Sequence, residues 1–366
     1  MRRALSTGLV VLATCGPVRA DEPAVPGPEE IRDVIALGLK IVETGARNYP
    51  NHRDCFSCHH QTLPLLAMAA ARDAGLDIDK ELFREIVDFS RRSFEGRIDS
   101  LKAGTGIGGR AMTVGYGLWT LEIAGEKPDD LGEALVNYQL KQQKEDGAWR
   151  APSHRPPLEE SAVMCTVLAR YGLKTYAGKD QQDAVDRARK SAAVWLDSAK
   201  LSSQEDHNAR LWGLTRDSDR GDDKVKAVGK AIVERQRDDG GWGQTAEMPS
   251  DAYATGQTLF LLLESGHDPS ALEIRKGLDF LMKTQGKDGS WHVATRSKPV
   301  QVYFDNGDPH GKDQFISISA TSWAVAALSR SLRATGAAND TARRSRTPIR
   351  IPKHEIRNKL QIRRIE

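Results

Sequence analysis

Long apolar runs are missing from this chain of 366 residues. No stretch reaches the roughly 18 apolar residues that a membrane-crossing helix needs, so no transmembrane segment is expected. Cysteine is scarce, with four in all, and Cys15 falls in a leader-like segment, leaving three for the body. Positive charge is lacking where most of the chain lies. The formal net charge of +3 averages three unlike regions. Residues 1–20 hold three Arg and no acid, 341–366 hold nine Lys or Arg against two Glu, and the body, 21–340, carries −7. An acidic body argues against nucleic acid as the main partner.

Residues 1–20 read as a secretory signal peptide: Arg2-Arg3, the short apolar run Leu9-Val-Val-Leu-Ala13, and Val18-Arg-Ala20 as a cleavage site. The expectation is a periplasmic or secreted protein beginning at Asp21. A lipoprotein reading through Cys15 ranks behind it, because Thr14 stands where a lipidation box usually has Gly, Ala or Ser. The basic end, 336–366, reads as a solvated, disordered tail, with contact to anionic lipid or another protein as the alternative. Between them, 21–335 has 39% hydrophobic residues chain-wide to draw on, enough for one large core.

What is abundant is self-similarity. Gln143-x-x-Asp146-Gly147-x-Trp149, Gln236-x-x-Asp239-Gly240-x-Trp242 and Gln285-x-x-Asp288-Gly289-x-Trp291 repeat one pattern, the signature of a repeat architecture. The first two lie 93 residues apart and the last two 49, so a degenerate copy is expected near 198–206. Physically the motif is a helix end and a turn. Gln closes an amphipathic helix, Asp-Gly makes a tight turn because Gly tolerates positive φ, and Trp folds back as an apolar lid.

The pattern resembles the repeats of the squalene–hopene cyclase and protein prenyltransferase superfamily over most of residues 30–335. The resemblance implies an all-α fold, an (α/α)6 toroid in which six helical hairpins alternate between an outer and an inner ring. Apolar periodicity places outer helices near 29–45, 80–94, 131–143, 182–198, 223–236 and 271–285. Segments richer in small and apolar residues, such as Ala320-Thr-Ser-Trp-Ala-Val-Ala-Ala-Leu328, place inner helices near 59–75, 110–124, 159–171, 206–215, 251–265 and 318–331.

The segment with most chemistry is Cys55-Phe-Ser-Cys58-His59-His60-Gln61. C-x-x-C-H is the attachment pattern of haem c: two thiols reach two vinyl groups and the next His turns onto the iron. Cys55, Cys58 and His59 are therefore candidate haem ligands, with His60, Met68 or a distant residue as the sixth. Other readings stay open. Cys55 and Cys58 form a disulfide in an exported protein, or bind zinc together with His59 and His60. The spacing Cys58-x-x-Gln61 also resembles the internal thioester of complement-type toroid domains, which carry other residues between the Cys and the Gln.

If inner helices all begin at one end, His59, His60, Arg110, Glu159, Glu160, His207, Asp251, Ser319 and Thr321 converge on one rim, unless they are simply cap and first-turn residues. The class II cyclases of the resembled superfamily carry Asp-x-Asp-Asp-Thr at an inner helix start, and this chain has Asp251-Ala-Tyr253-Ala254-Thr255. A phenol with a reference pKa near 10 does not protonate an alkene as a carboxylic acid does. The prenyltransferase zinc set and an Asp-Asp-x-x-Asp for diphosphate ionisation are missing too. Gly104-x-Gly106-x-x-Gly109 is read as a turn, since no strand precedes it. The insertion 292–316, rich in turn dipeptides, is read as a loop over a cavity, and Asp305, Asp308 and Asp313 lack a known calcium-loop spacing.

Three functions follow as expectations: a haem-bearing redox toroid with a redox partner; a binding or scaffold toroid for an isoprenoid or other small apolar ligand; and a divergent terpenoid enzyme with Asp251 or Glu160 as its acid.

Overall fold

The computed structural model describes residues 26–217, 222–299 and 302–346. The leader-like segment with Cys15, and 347–366 of the basic end, lie outside them. Thirteen α-helices are described, twelve of which pair into hairpins. In chain order these are α1 (Pro28–Asn48) with α2 (Leu63–Asp73), then α3 (Lys80–Glu95), the short α4 (Ile98–Ala103) and α5 (Arg110–Ala124). They continue as α6 (Asp130–Gln142) with α7 (Ala162–Tyr176), α8 (Gln182–Ser198) with α9 (Gln204–Asp217), α10 (Asp223–Val233) with α11 (Ala252–Glu264), and α12 (Leu272–Thr284) with α13 (Gln314–Arg346). Among the described residues there is no strand, only an isolated bridge between Arg155 and Glu159.

Periodicity sets the layers. α1 buries Ile31, Ile35, Gly38, Leu39, Val42, Gly45 and Ala46 along one stripe and leaves its other faces exposed or partly exposed, as an outer helix should. α11 is buried at every residue from Ala252 to Leu263, as a helix enclosed on all sides must be. The inner helices pack in sequence, and α13 lies against both α2 and α11, which closes the ring. The expected (α/α)6 toroid is the observed fold.

The repeated turns explain how the ring holds together. Trp149, Trp242 and Trp291 are buried, and each indole Nε1 donates to the carbonyl ten residues back, at 2.8–2.9 Å. Gly147, Gly240 and Gly289 have φ of +93°, +86° and +93°. A Cβ there would stand 2.6–2.7 Å from the backbone carbonyl oxygens of Ser191, Lys276 and Leu37, each on the next outer helix, so Gly is required twice over. The Gln does more than end a helix. Its amide Nε2 donates to its own turn's Gly carbonyl and to the next outer helix: Gln143 to Ala188, Gln236 to Glu273, Gln285 to Val34. The third staple therefore ties the last hairpin to the first.

Three boundaries differ from the sequence reading. α7 starts at Ala162, where the Ser161 hydroxyl accepts the Met164 N–H at 2.9 Å, and Glu159 is held outside the helix by its backbone bridge to Arg155. α13 starts at Gln314, so Ser319 and Thr321 lie past the first turn, buried, with their hydroxyls donating back to the carbonyls four residues before them. It also runs on into the span expected to be tail. Gly104, Gly106 and Gly109 all take positive φ between α4 and α5, in keeping with a turn.

Candidate functional site at the start of the inner helices

The chain leaves α1 through Tyr49–Asn51, extends at Ser57 (φ −141°, ψ 127°), and enters a wide π-helical turn, Cys58–Thr62, that runs into α2. Pro64 contributes to that shape: without an N–H it cannot close the α-helical bond to the His60 carbonyl. The Gln61 carboxamide oxygen accepts the Ser57 N–H at 2.7 Å, so this side chain satisfies its own helix start.

A cavity of about 740 Å³ opens here, within the size range of small-molecule and cofactor sites. Cys55, Cys58 and His59 all line it. Apolar walls come from Phe94, Met112, Leu158 and Phe315, and Thr295, Lys298 and Tyr303 of the long insertion close over it. Four cationic residues, Arg97, Arg155, Lys298 and Lys312, line it against one acid, Glu159, and Arg155 is ion-paired to Glu159. The cavity is thus basic inside an acidic body.

Cys55 is exposed and Cys58 half-buried, and both are free thiols. Burial, with Glu159 as a second cause, pushes the Cys58 thiol up to about 12. The Cys55 sulfur lies 3.7 Å from the Tyr49 hydroxyl. His59 stacks on Phe315 with ring centroids 4.6 Å apart. Burial, then His60 and Arg155, hold its imidazole well below the usual value, so it is neutral.

His60 turns the other way. It is fully buried, stacks on Tyr49 at 4.8 Å, and has Nδ1 2.6 Å from His59 Nδ1. Its Nε2 lies 2.7 Å from Asp308 Oδ2. The Asn306 amide reaches Asp308 Oδ2 at 3.1 Å and the Gly45 carbonyl at 2.9 Å. His60 and Met68 do not line the cavity, and neither does any other residue of α2. The loop residue Asp308 carried no sequence signal for this role beyond its place in a long insertion.

Of the nine residues expected on one rim, His59 and Glu159 line the cavity. Asp251 is an N-cap, its carboxylate accepting the Ala254 N–H at 2.9 Å and the Gln244 amide at 3.0 Å, and burial raises its pKa. Glu160 pairs with Arg296 and His154. Asp305 accepts its own loop's Gly307 N–H and Asp313 pairs with His292, so the three insertion Asp residues do not converge. Among the described residues no group of three or more His, Cys, Asp or Glu is arranged to hold a metal ion.

Sequence reasoning missed one acid. Glu205, at the start of α9, is buried and accepts the Tyr253 hydroxyl at 2.9 Å. Burial pushes its carboxyl up to about 8. Beside it Asn208 bonds Gln257 and Thr258 at 2.8 and 3.0 Å. None of these five side chains lines the cavity.

No family model matches the sequence, and no curated protein matches it. Solved structures do match in shape. A glycosidase variant in complex with glucose superposes with TM-score 0.57 at 12% identity, over 83% of this chain and 98% of that chain. A variant of type II terpene cyclase MstE from Scytonema, in complex with geranylgeranyl dihydroxybenzoate, gives 0.52 at 14% identity, over 83% and 98%. A glycosidase and a terpene cyclase on one scaffold illustrate that this fold does not select a chemistry. What the chain shares with both is the α/α toroid.

Proposed function

We propose that this protein is an exported toroid that carries haem c on Cys55 and Cys58, with His59 as axial ligand, and serves in electron transfer or redox chemistry. The carrying observation is that all three residues of the attachment pattern line a single cavity of about 740 Å³. The thiols are unpaired, and each can add its S–H across a vinyl double bond with no atom lost. His59 is neutral, as a metal-ligating imidazole must be. Bound haem would supply one-electron chemistry, with its potential set by the axial ligand and its surroundings.

The protein's own residues would do the rest. Phe94, Met112 and Phe315 exclude water from the cavity wall, and the basic residues suit an anionic edge of whatever binds. Haem suits the arrangement better than zinc, because haem uses two thiols and one imidazole in sequence, whereas zinc needs four converging donors. A redox partner would meet the exposed side at Cys55.

A second reading rests on the apolar walls: the toroid binds a small apolar molecule, such as an isoprenoid, and the cysteines are structural. One experiment separates the two. Full-length protein matured with haem-attachment machinery should show a Soret band that survives denaturation and acid–acetone extraction, and Cys55→Ala with Cys58→Ala should abolish it. Colourless protein whose intact mass shows a two-hydrogen loss would establish the disulfide instead. A deficit of one ammonia, restored by methylamine, would establish the Cys58–Gln61 thioester.

A further inference from the structure

We propose that Asp308 and His60 form a buried relay that fixes His59 in a single tautomer, with Nδ1 protonated and the Nε2 lone pair left for a ligand or proton in the cavity. The inference deepens the haem reading but stands on contacts within this chain. Proton assignment follows from the hydrogen-bond chain. A carboxylate only accepts, so Asp308 Oδ2 accepts the hydrogen bond of His60 Nε2–H at 2.7 Å, while the Asn306 amide, 3.0 Å from the same nitrogen, gives its protons to Asp308 Oδ2 and the Gly45 carbonyl. In a neutral imidazole that leaves His60 Nδ1 as an acceptor, and the 2.6 Å contact to His59 Nδ1 then requires that His59 be the donor there. His59 Nε2 is consequently unprotonated, in a ring that lines the cavity.

Surrounding residues hold the relay in place. The Asn306 amide donates to Asp308 Oδ2 and to the Gly45 carbonyl, joining the inserted loop to α1. Gly45 leaves the room: a Cβ there would stand 1.9 Å from Asp308 Oδ1. Tyr49 covers the face of His60 and Phe315 that of His59, so neither ring turns freely. Asp308 lies 248 positions from His60 in sequence, so the last repeat sets the chemistry of the first. Outer partners of this kind orient metal-bound histidines and raise their basicity. His60 and Asp308 are thus positioning residues, since both ring nitrogens of His60 are engaged within the relay.

The test is ¹⁵N NMR of the histidine rings in the full-length, haem-free chain. His59 should show an N–H-type Nδ1 and a lone-pair-type Nε2. In Asp308→Ala the carboxylate acceptor is gone and the Asn306 amide, 3.0 Å from His60 Nε2, can donate to that nitrogen, which moves the His60 proton to Nδ1 and should invert His59 to the Nε2–H form. In haem-loaded protein the same substitution should shift the midpoint potential upward, since the ligand loses carboxylate support. An Nε2–H His59 in the wild-type chain overturns the relay without any variant, as does an unchanged tautomer in Asp308→Ala whose circular dichroism matches wild type. If no haem attaches, the function proposed above fails, while the nitrogen shifts still decide the relay.

Discussion

At the first and last repeats, Asp308 passes a chain of hydrogen bonds through His60 to His59, and that chain ends at a cavity. At the fourth and fifth repeats, Glu205, Tyr253, Asn208 and Gln257 are just as buried, yet Glu205 pairs with Tyr253, Asn208 pairs with Gln257, and none of the four lines that cavity. Both clusters belong to one ring, and both are costly to bury unless partnered. The difference lies in where the last polar atom points. A network that closes on itself specifies packing, whereas one that ends in a free ring nitrogen beside open volume can do chemistry. On that criterion the perturbed carboxyl of Glu205 is a structural acid, although a strongly shifted pKa alone would nominate it for catalysis.

The comparison can be broken first from the fold side. Trp242 is buried in the turn that leads into α11, its indole donating to Ile232 and its backbone N–H to Thr255 on α11. Trp242→Ala should cost about 3–5 kcal/mol in urea unfolding. It should loosen the Glu205 cluster while the His59 tautomer stays fixed. Asp308→Ala attacks the other side. It removes the carboxylate partner of a fully buried His60 and should cost about 2–3 kcal/mol, as the loss of a buried hydrogen bond to a charged group does. If it costs nothing, Asp308 is not holding the ring together.

The fold was legible because its signals are periodic and local. The apolar stripe of α1, the small-residue composition of α13 and the three Asp-Gly turns each declare themselves within a window of about a dozen residues. Even there the role of Gln285 was hidden, since its partner is Val34, a quarter-thousand residues away in sequence. The site was legible in part. Cys55, Cys58 and His59 form a contiguous pattern, and their common cavity is in keeping with it. The partner of His60 was not, because Asp308 lies in an irregular loop where no period constrains position. Glu205 was passed over for Glu160 because burial is a tertiary property. Two acids near inner-helix starts look alike until one meets Arg296 and the other meets Tyr253.

Titration should sharpen the comparison at the closed cluster. The folded-state pKa of Glu205 is raised to about 8, with burial as the main cause. The folded chain then holds a proton that the unfolded chain releases near its ordinary value of about 4.3. Stability from this group is therefore present below the unfolded pKa and is lost as pH rises through the folded one. Glu205→Gln keeps an acceptor for the Tyr253 hydroxyl without a charge to bury. It should leave stability at pH 5 unchanged and raise it at pH 8 by about 1–2 kcal/mol. Parallel urea curves at both pH values would show Glu205 to be ionised in the folded ring and undo its assignment.

The smallest effect is expected at Asp251, the acid that the sequence nominated for catalysis. Its carboxylate caps α11 through the Ala254 N–H and takes the Gln244 amide, and Tyr253, two residues on, spends its hydroxyl on Glu205. A cap of this kind is worth about 1 kcal/mol, so Asp251→Ala should lower stability by that amount and leave both the Soret band and the His59 tautomer untouched. Incubation of the wild-type protein with squalene or farnesyl diphosphate should give no cyclised product. Turnover that Asp251→Ala abolishes would reverse the order of the two clusters. It would mean that the side of the ring away from the cavity opens to substrate, and that the acid there works as an acid and not as a cap.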